Sequence, residues 1–150
     1  MLIRKFFLIL FLLQVDKANA VTCQDVRSIM HTFFQVHYKE KVFNNKISKR
    51  SIDNFIKQLD PFKIMFLEKE VNDFINKGHL ELERSLPKAK CEFIGSVYGL
   101  YLSRFEMLSE ETKKLLRKEF DFTKDEYLSI DRKKLLYPKN MQEIKERWRK

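Results

Sequence analysis

Apolar residues recur at three- and four-residue steps through most of this chain, and very little interrupts them. Val26, Ile29, Met30, Phe33 and Phe34 share one helical face, as do Ile52, Phe55, Ile56 and Leu59. Ile94, Val97, Tyr98, Tyr101, Phe105, Leu108, Leu115 and Leu116 then hold one apolar side for some two dozen residues. Only three Gly and three Pro stand among 150 residues, and 34% are charged, so long helices with solvated faces are favoured over a turn-rich sheet protein. No run of strand alternation and no internal repeat competes with that reading. The fold class predicted is all-α: an irregular bundle of about five helices including one long central helix, preceded by a cleavable signal peptide.

The leader is read from Arg4 and Lys5, the apolar run from Phe6 to Leu13, and the small-x-small pattern Ala18-Asn19-Ala20. Eight apolar residues are far fewer than the roughly 20 a helix needs to span a bilayer, so cleavage is expected rather than a permanent anchor. This divides the chain into a signal peptide (1–20) and a helical domain (21–150). Ala-Val-Thr before Cys23 is a poor lipidation context, so processing after Ala20 is expected in preference to acylation. The mature protein is expected in the periplasm, touching membrane only through its leader.

Loss of the leader lowers the basic and acidic counts from 30 and 21 to 27 and 20, a net charge of +7. Acids are interspersed with the lysines (EKEVNDF, EETKKLLRKE), unlike the gathered basic stripe of a nucleic-acid reader, so no nucleic-acid partner is expected. Two cysteines remain, Cys23 and Cys91. They either pair in an oxidising compartment, tying the first mature helix to the long one with a loop-closure stabilisation of roughly 4 kcal/mol, or stay as two buried thiols.

Helix boundaries follow from local signals. Thr22 caps a first helix expected to reach about Tyr38. A second starts near Ser48 or Ser51 and stops at Asp60-Pro61. A third spans Leu67 to Ile75 and is closed by Asn76-Lys77-Gly78. The long helix starts near Pro87, with Gly95 and Gly99 spaced to let another helix approach closely. Ser109-Glu110-Glu111 allows it either to kink or to restart. No strong period survives from Phe120 to Pro138, after which Asn140 and Glu143 form a capping box for a last helix through Trp148.

Reactive residues lack partners. His31 and His37 are six apart, outside the four-residue spacing at which two imidazoles on one helix share a metal, and no Cys/His ligand cluster exists. No serine lies in a nucleophile elbow and no Gly-rich loop cradles phosphate. No cofactor, metal or acid/base couple is therefore assigned.

Two blocks carry a resemblance. HYKEKVFNNKISKRSIDNFIKQLDPFKIMFLEKEVNDF (His37 to Phe74) and FDFTKDEYLSIDRKKLLYPKNMQEIKERW (Phe120 to Trp148) resemble the N-terminal domain of the tail-specific (carboxy-terminal processing) proteases, Prc/Tsp type. The landmark residues are His37 and Tyr38; Asp60; Asp121, Phe122 and Thr123; Asp131 and Arg132; Pro138, Lys139 and Asn140; and Trp148, with an aromatic helix between the blocks. Tyr137 departs from the Trp that often precedes Pro-Lys-Asn in relatives, and keeps an aromatic anchor.

The resemblance implies a periplasmic serine protease whose PDZ domain captures substrate tails and whose Ser/Lys dyad cuts them. Neither is represented here, so no catalytic residue is carried onto this chain. The segment is expected to scaffold the rest of the protease, frame the way in for protein substrates or dock a periplasmic adaptor. The other reading is a stand-alone periplasmic helical binding or adaptor protein derived from the same module.

Overall fold

The computed structural model describes residues 20–129 and 131–150, so the leader lies outside the described residues except for Ala20. Helices account for all regular structure among them: α1 (Cys23–Val36), α2 (Asn45–Leu59), α3 (Glu68–Asp73), α4 (His79–Ser85), α5 (Glu92–Leu115) and α6 (Met141–Arg149). A π turn (Phe74–Gly78) joins α3 to α4 without a break, and a 3-10 turn (Leu86–Lys88) follows. That makes five helical units, the longest of them α5, as the periodicity predicts.

Each start has a local cause. Thr22 accepts the amide of Asp25, whose carboxylate takes Thr22's own amide at 2.8 Å, closing a capping box on α1. Asn44 caps α2 through the Ile47 amide, so this helix begins ahead of the serines expected to start it. Ser48 instead lies inside the helix, fully buried, and donates to the carbonyl of His79 at 2.6 Å.

Three further boundaries differ from expectation. α1 ends at Val36 because His37 turns extended (ψ 132°). Gly78 does not close the third helix: its φ is −66°, and the chain passes through it helically into α4. The ring of Phe93 lies where a Cβ on Gly78 would stand, so this glycine serves close packing rather than termination. Pro87 belongs to the 3-10 turn, and α5 starts at Glu92 and continues unbroken through Ser109–Glu111.

The core is one cluster built from α2 (Ile52, Ile56), the following segment (Met65, Phe66), α3–α4 (Val71, Leu82), α5 (Phe93, Val97, Leu108) and α6 (Ile144). Phe74 bridges Phe66 and Phe93 with edge-to-face ring contacts at 5.7 and 6.2 Å between centroids. α1 stands apart energetically: its one buried residue is Phe34, while Cys23 and Met30 are partly buried against the cluster. Cys23 and Cys91 are joined by a disulfide with Cα atoms 6.0 Å apart, which fastens the N-terminal end of α1 to the start of α5.

Candidate docking surface

The segment between α2 and α3 has no regular structure, so its backbone groups must find partners elsewhere. Asp60, 1% exposed, accepts the amides of Ile64, Met65 and Phe66 at 2.9–3.0 Å. From α6, Arg147 donates to the carbonyl of Lys63 (2.8 Å) and Trp148 Nε1 to that of Ile64 (3.1 Å). From α5, Arg104 donates to the carbonyl of Met65 and also grips Glu70 through two bonds, all at 2.8 Å. Lys63 adopts the left-handed conformation (φ 53°) that this tight path requires, and its ammonium reaches the carbonyl of Leu135.

The landmark residues divide accordingly. Asp60, Pro138, Asn140 and Trp148 converge on this junction: Glu68 donates its amide to the carbonyl of buried Pro138, and Asn140 caps α6 through the amide of Glu143. Lys139 donates its amide to the Glu143 carboxylate at 3.0 Å. His37 builds a separate turn, its Nδ1 accepting the amides of Lys39 and Glu40 at 3.2 and 2.8 Å, while Tyr38 is 98% exposed. Because Nδ1 accepts both bonds, the neutral ring carries its proton on Nε2.

Asp121, Phe122 and Thr123 stand away from the junction. Asp121 accepts the Thr123 hydroxyl and amide, which hold its carboxyl below the usual range, and Phe122 is solvated. Asp131 closes a turn on Lys133, and the Arg132 guanidinium lies 5.2 Å over the Phe62 ring.

Sequence reasoning missed the Glu70–Arg104 pair, because nothing local marks two residues 34 positions apart as partners. Tyr137, expected as an aromatic anchor, is half-buried. Burial, then the carboxylates of Asp60 and Asp53, push this phenol up to about 12, and the hydroxyl has no hydrogen-bond partner among the described residues.

None of these groups forms a nucleophile with its base. Among the described residues no group of three His, Cys, Asp or Glu side chains is placed to hold a metal ion. What the surface offers instead is apolar. At 100° per residue, the apolar residues of α1 cover an arc of about 160°, of which only the side carrying Met30 and Phe34 faces the body. The remaining flank is open: Ile29 is 67%, Phe33 51% and Val36 78% exposed. α5 repeats the arrangement with Tyr98, Leu102 and Phe105, each over 40% exposed beside the buried row Phe93, Val97 and Leu108.

Gly95 and Gly99 border that stripe, and a Cβ on either would meet nothing within 4 Å. The close helix packing expected at these glycines is not found among the described helices.

The chain matches the family model described as "Tail specific protease N-terminal domain" over residues 29–150. It is similar to a tail-specific protease of Haemophilus influenzae, 24% identical over 114 residues. That alignment covers 76% of this chain and 16% of the relative, so the chain spans a small fraction of the protease it matches. No solved structure matches it. With a match running from the middle of α1 to the end of α6, the chain belongs to the tail-specific protease N-terminal domain family.

Proposed function

We propose that this domain works as the docking and scaffolding module of a periplasmic, C-terminal-processing serine protease and performs no catalysis by itself. The observation that carries this reading is the overrun of apolar surface on α1 and α5. Ile29, Phe33 and Val36 continue one helix's core face into solvent, and Tyr98, Leu102 and Phe105 continue another's. Exposed apolar rows of this kind mark an interface. The occupant proposed is the PDZ and catalytic portion of the same protease, which the resemblance places after this domain. The leader-like residues 1–20 and the Cys23–Cys91 disulfide support export to an oxidising compartment.

The test is co-expression of the chain with the PDZ–catalytic portion of a tail-specific protease, followed by co-purification. Ile29→Ser/Val36→Ser should abolish recovery of the pair while leaving the helical circular dichroism intact. A wild-type chain that stays monomeric, binds no hydrophobic dye and never co-purifies with that portion would overturn the assignment.

A further inference from the structure

On the opposite flank of α1 the surface changes character. Arg27, His31 and Gln35 stand in a row one turn apart, alongside the row formed by Met30 and Phe34 that faces the body. Between this flank and the 41–43 segment runs an open cleft of about 480 Å³, within the ordinary range for ligand sites. Its floor is apolar, made by Met30, Phe34 and Phe43, with Phe34 and Phe43 in ring contact at 6.3 Å. Its rim carries Arg27 and His31 on one side and Lys41 on the other.

No carboxylate lines the cleft, and none of the salt bridges among the described residues involves Arg27, His31 or Lys41. A rim of Arg27 and Lys41 with no acid in the lining, set over an apolar trough, fits an occupant that brings its own negative charge. Lys41 is held in place by a bond from its ammonium to the carbonyl of Gln35 at 3.3 Å, which spans the cleft's end and leaves other donors free.

We infer that this cleft binds an extended acidic peptide segment of a partner protein, with an apolar side chain over Phe34 and Phe43 and flanking carboxylates on Arg27 and Lys41. Three features favour a peptide over a single-chain lipid. The trough is open rather than a closed tunnel, and its rim stays in water. Its length along α1, from residue 27 to residue 35, is about 12 Å at 1.5 Å per residue, which suits three to four residues of extended chain at about 3.3 Å each. The cationic groups also sit on both sides, where alternate acidic side chains reach them, rather than at one end, where a single head group would. This inference does not rest on the apolar docking flank, which lies on the other side of α1.

Fluorescence polarisation on the purified chain tests it, with a capped, dye-labelled Glu-Glu-Phe-Leu-Glu-Glu peptide as probe and Lys-Lys-Phe-Leu-Lys-Lys as its counterpart. The acidic probe should bind and the basic one should not, and raising salt from 20 to 300 mM should weaken binding severalfold. Arg27→Glu/Lys41→Glu, both at exposed positions, should weaken it tenfold or more with an unchanged melting temperature. Ile29→Ser on the other flank should leave it unchanged. Equal binding of the two peptides, or indifference to the double charge reversal, would overturn the inference. Binding of dodecanoate at Arg27 and Lys41 with no binding of the acidic peptide would also overturn it, in favour of a lipid site.

Discussion

Replacing Gly78 by alanine separates two roles that a glycine in a helix can play. As a helix residue Gly78 is a liability, and alanine would recover about 0.5–1 kcal/mol of backbone entropy and propensity. As a packing residue it is indispensable, since all three of the nearest atoms to an added Cβ belong to the Phe93 ring and lie 2.9 Å away or closer. Carbon atoms rest at about 3.5–4.0 Å, so the ring must retreat by an ångström or more. It has little room, being 9% exposed and set edge-on against Phe74, which in turn leans on Phe66. Overpacking of this kind costs about 1–3 kcal/mol, and the rigidity of the aromatic stack argues for the upper end. The net expectation for Gly78→Ala is a loss of about 2 kcal/mol, or roughly 6–8 °C in melting temperature for a domain of this size. Gly99→Ala is the control: its Cβ meets nothing, so the substitution should be neutral or raise stability by up to about 1 kcal/mol. Thermal and urea unfolding by circular dichroism decide the matter, and Gly78→Ala melting at or above wild type would refute the packing argument. Phe93→Leu in the same background should recover part of the loss, because the shorter side chain vacates the contested space.

The disulfide closes a loop with a sequence separation of 68, so Cys23→Ala/Cys91→Ala should lower unfolding free energy by roughly 4 kcal/mol, read as an earlier urea midpoint under non-reducing conditions. A midpoint that reductant moves in wild type but not in the double variant would assign the effect to this bridge. Tyr137 should make the domain sensitive to alkali. Its phenol is raised from 10.0 to about 12 in the folded state, so its contribution is complete below pH 10 and is lost as pH rises through 12. A two-unit shift is worth at most about 2.7 kcal/mol, and partial solvent screening reduces it to about 1 kcal/mol. Tyr137→Phe should flatten that part of the stability profile between pH 9 and 12, and identical slopes in the two proteins would remove Tyr137 as the cause.

Where the sequence was readable, a strong local signal coincided with the tertiary demand. The period of Ile52, Phe55, Ile56 and Leu59 and the Asp60-Pro61 stop define the end of α2, and Asn140 with Glu143 defines the start of α6. Two misreadings, at Ser48 and Gly78, share a cause: a local preference overruled by a distant neighbour. Ser48 resembles a cap but is committed to the carbonyl of His79, 31 positions away. Gly78 resembles a stop but yields space to Phe93. Gly95 and Gly99 resemble a helix contact, and their open surroundings show that the described part of the chain supplies no such contact. The candidate docking surface was half legible: the apolar rows of α1 and α5 were plain, but periodicity cannot show which part of an apolar arc its own domain covers.

The distribution of anchoring across the domain bears on where a partner would act. The 60–67 segment is secured from three directions. Its amides go to Asp60 and its carbonyls to Arg104, Arg147 and Trp148, so α5 and α6 cannot separate from it without stranding buried polar groups at about 1–3 kcal/mol each. That network makes α2, α5 and α6 one cooperative unit. α1 contributes a single buried side chain and one covalent tie, so its opening free energy lies well below that of the rest. The same weakly anchored helix displays the open row of Ile29, Phe33 and Val36 on one flank and the Arg27–His31 rim on the other. A partner seated on either flank would gain from a helix already held near its final position by Cys91, and would supply the burial that the domain withholds from it. Hydrogen exchange should therefore slow in α1 before it changes in α5 when such a partner binds, and protection gained first in α5 would place the primary contact elsewhere.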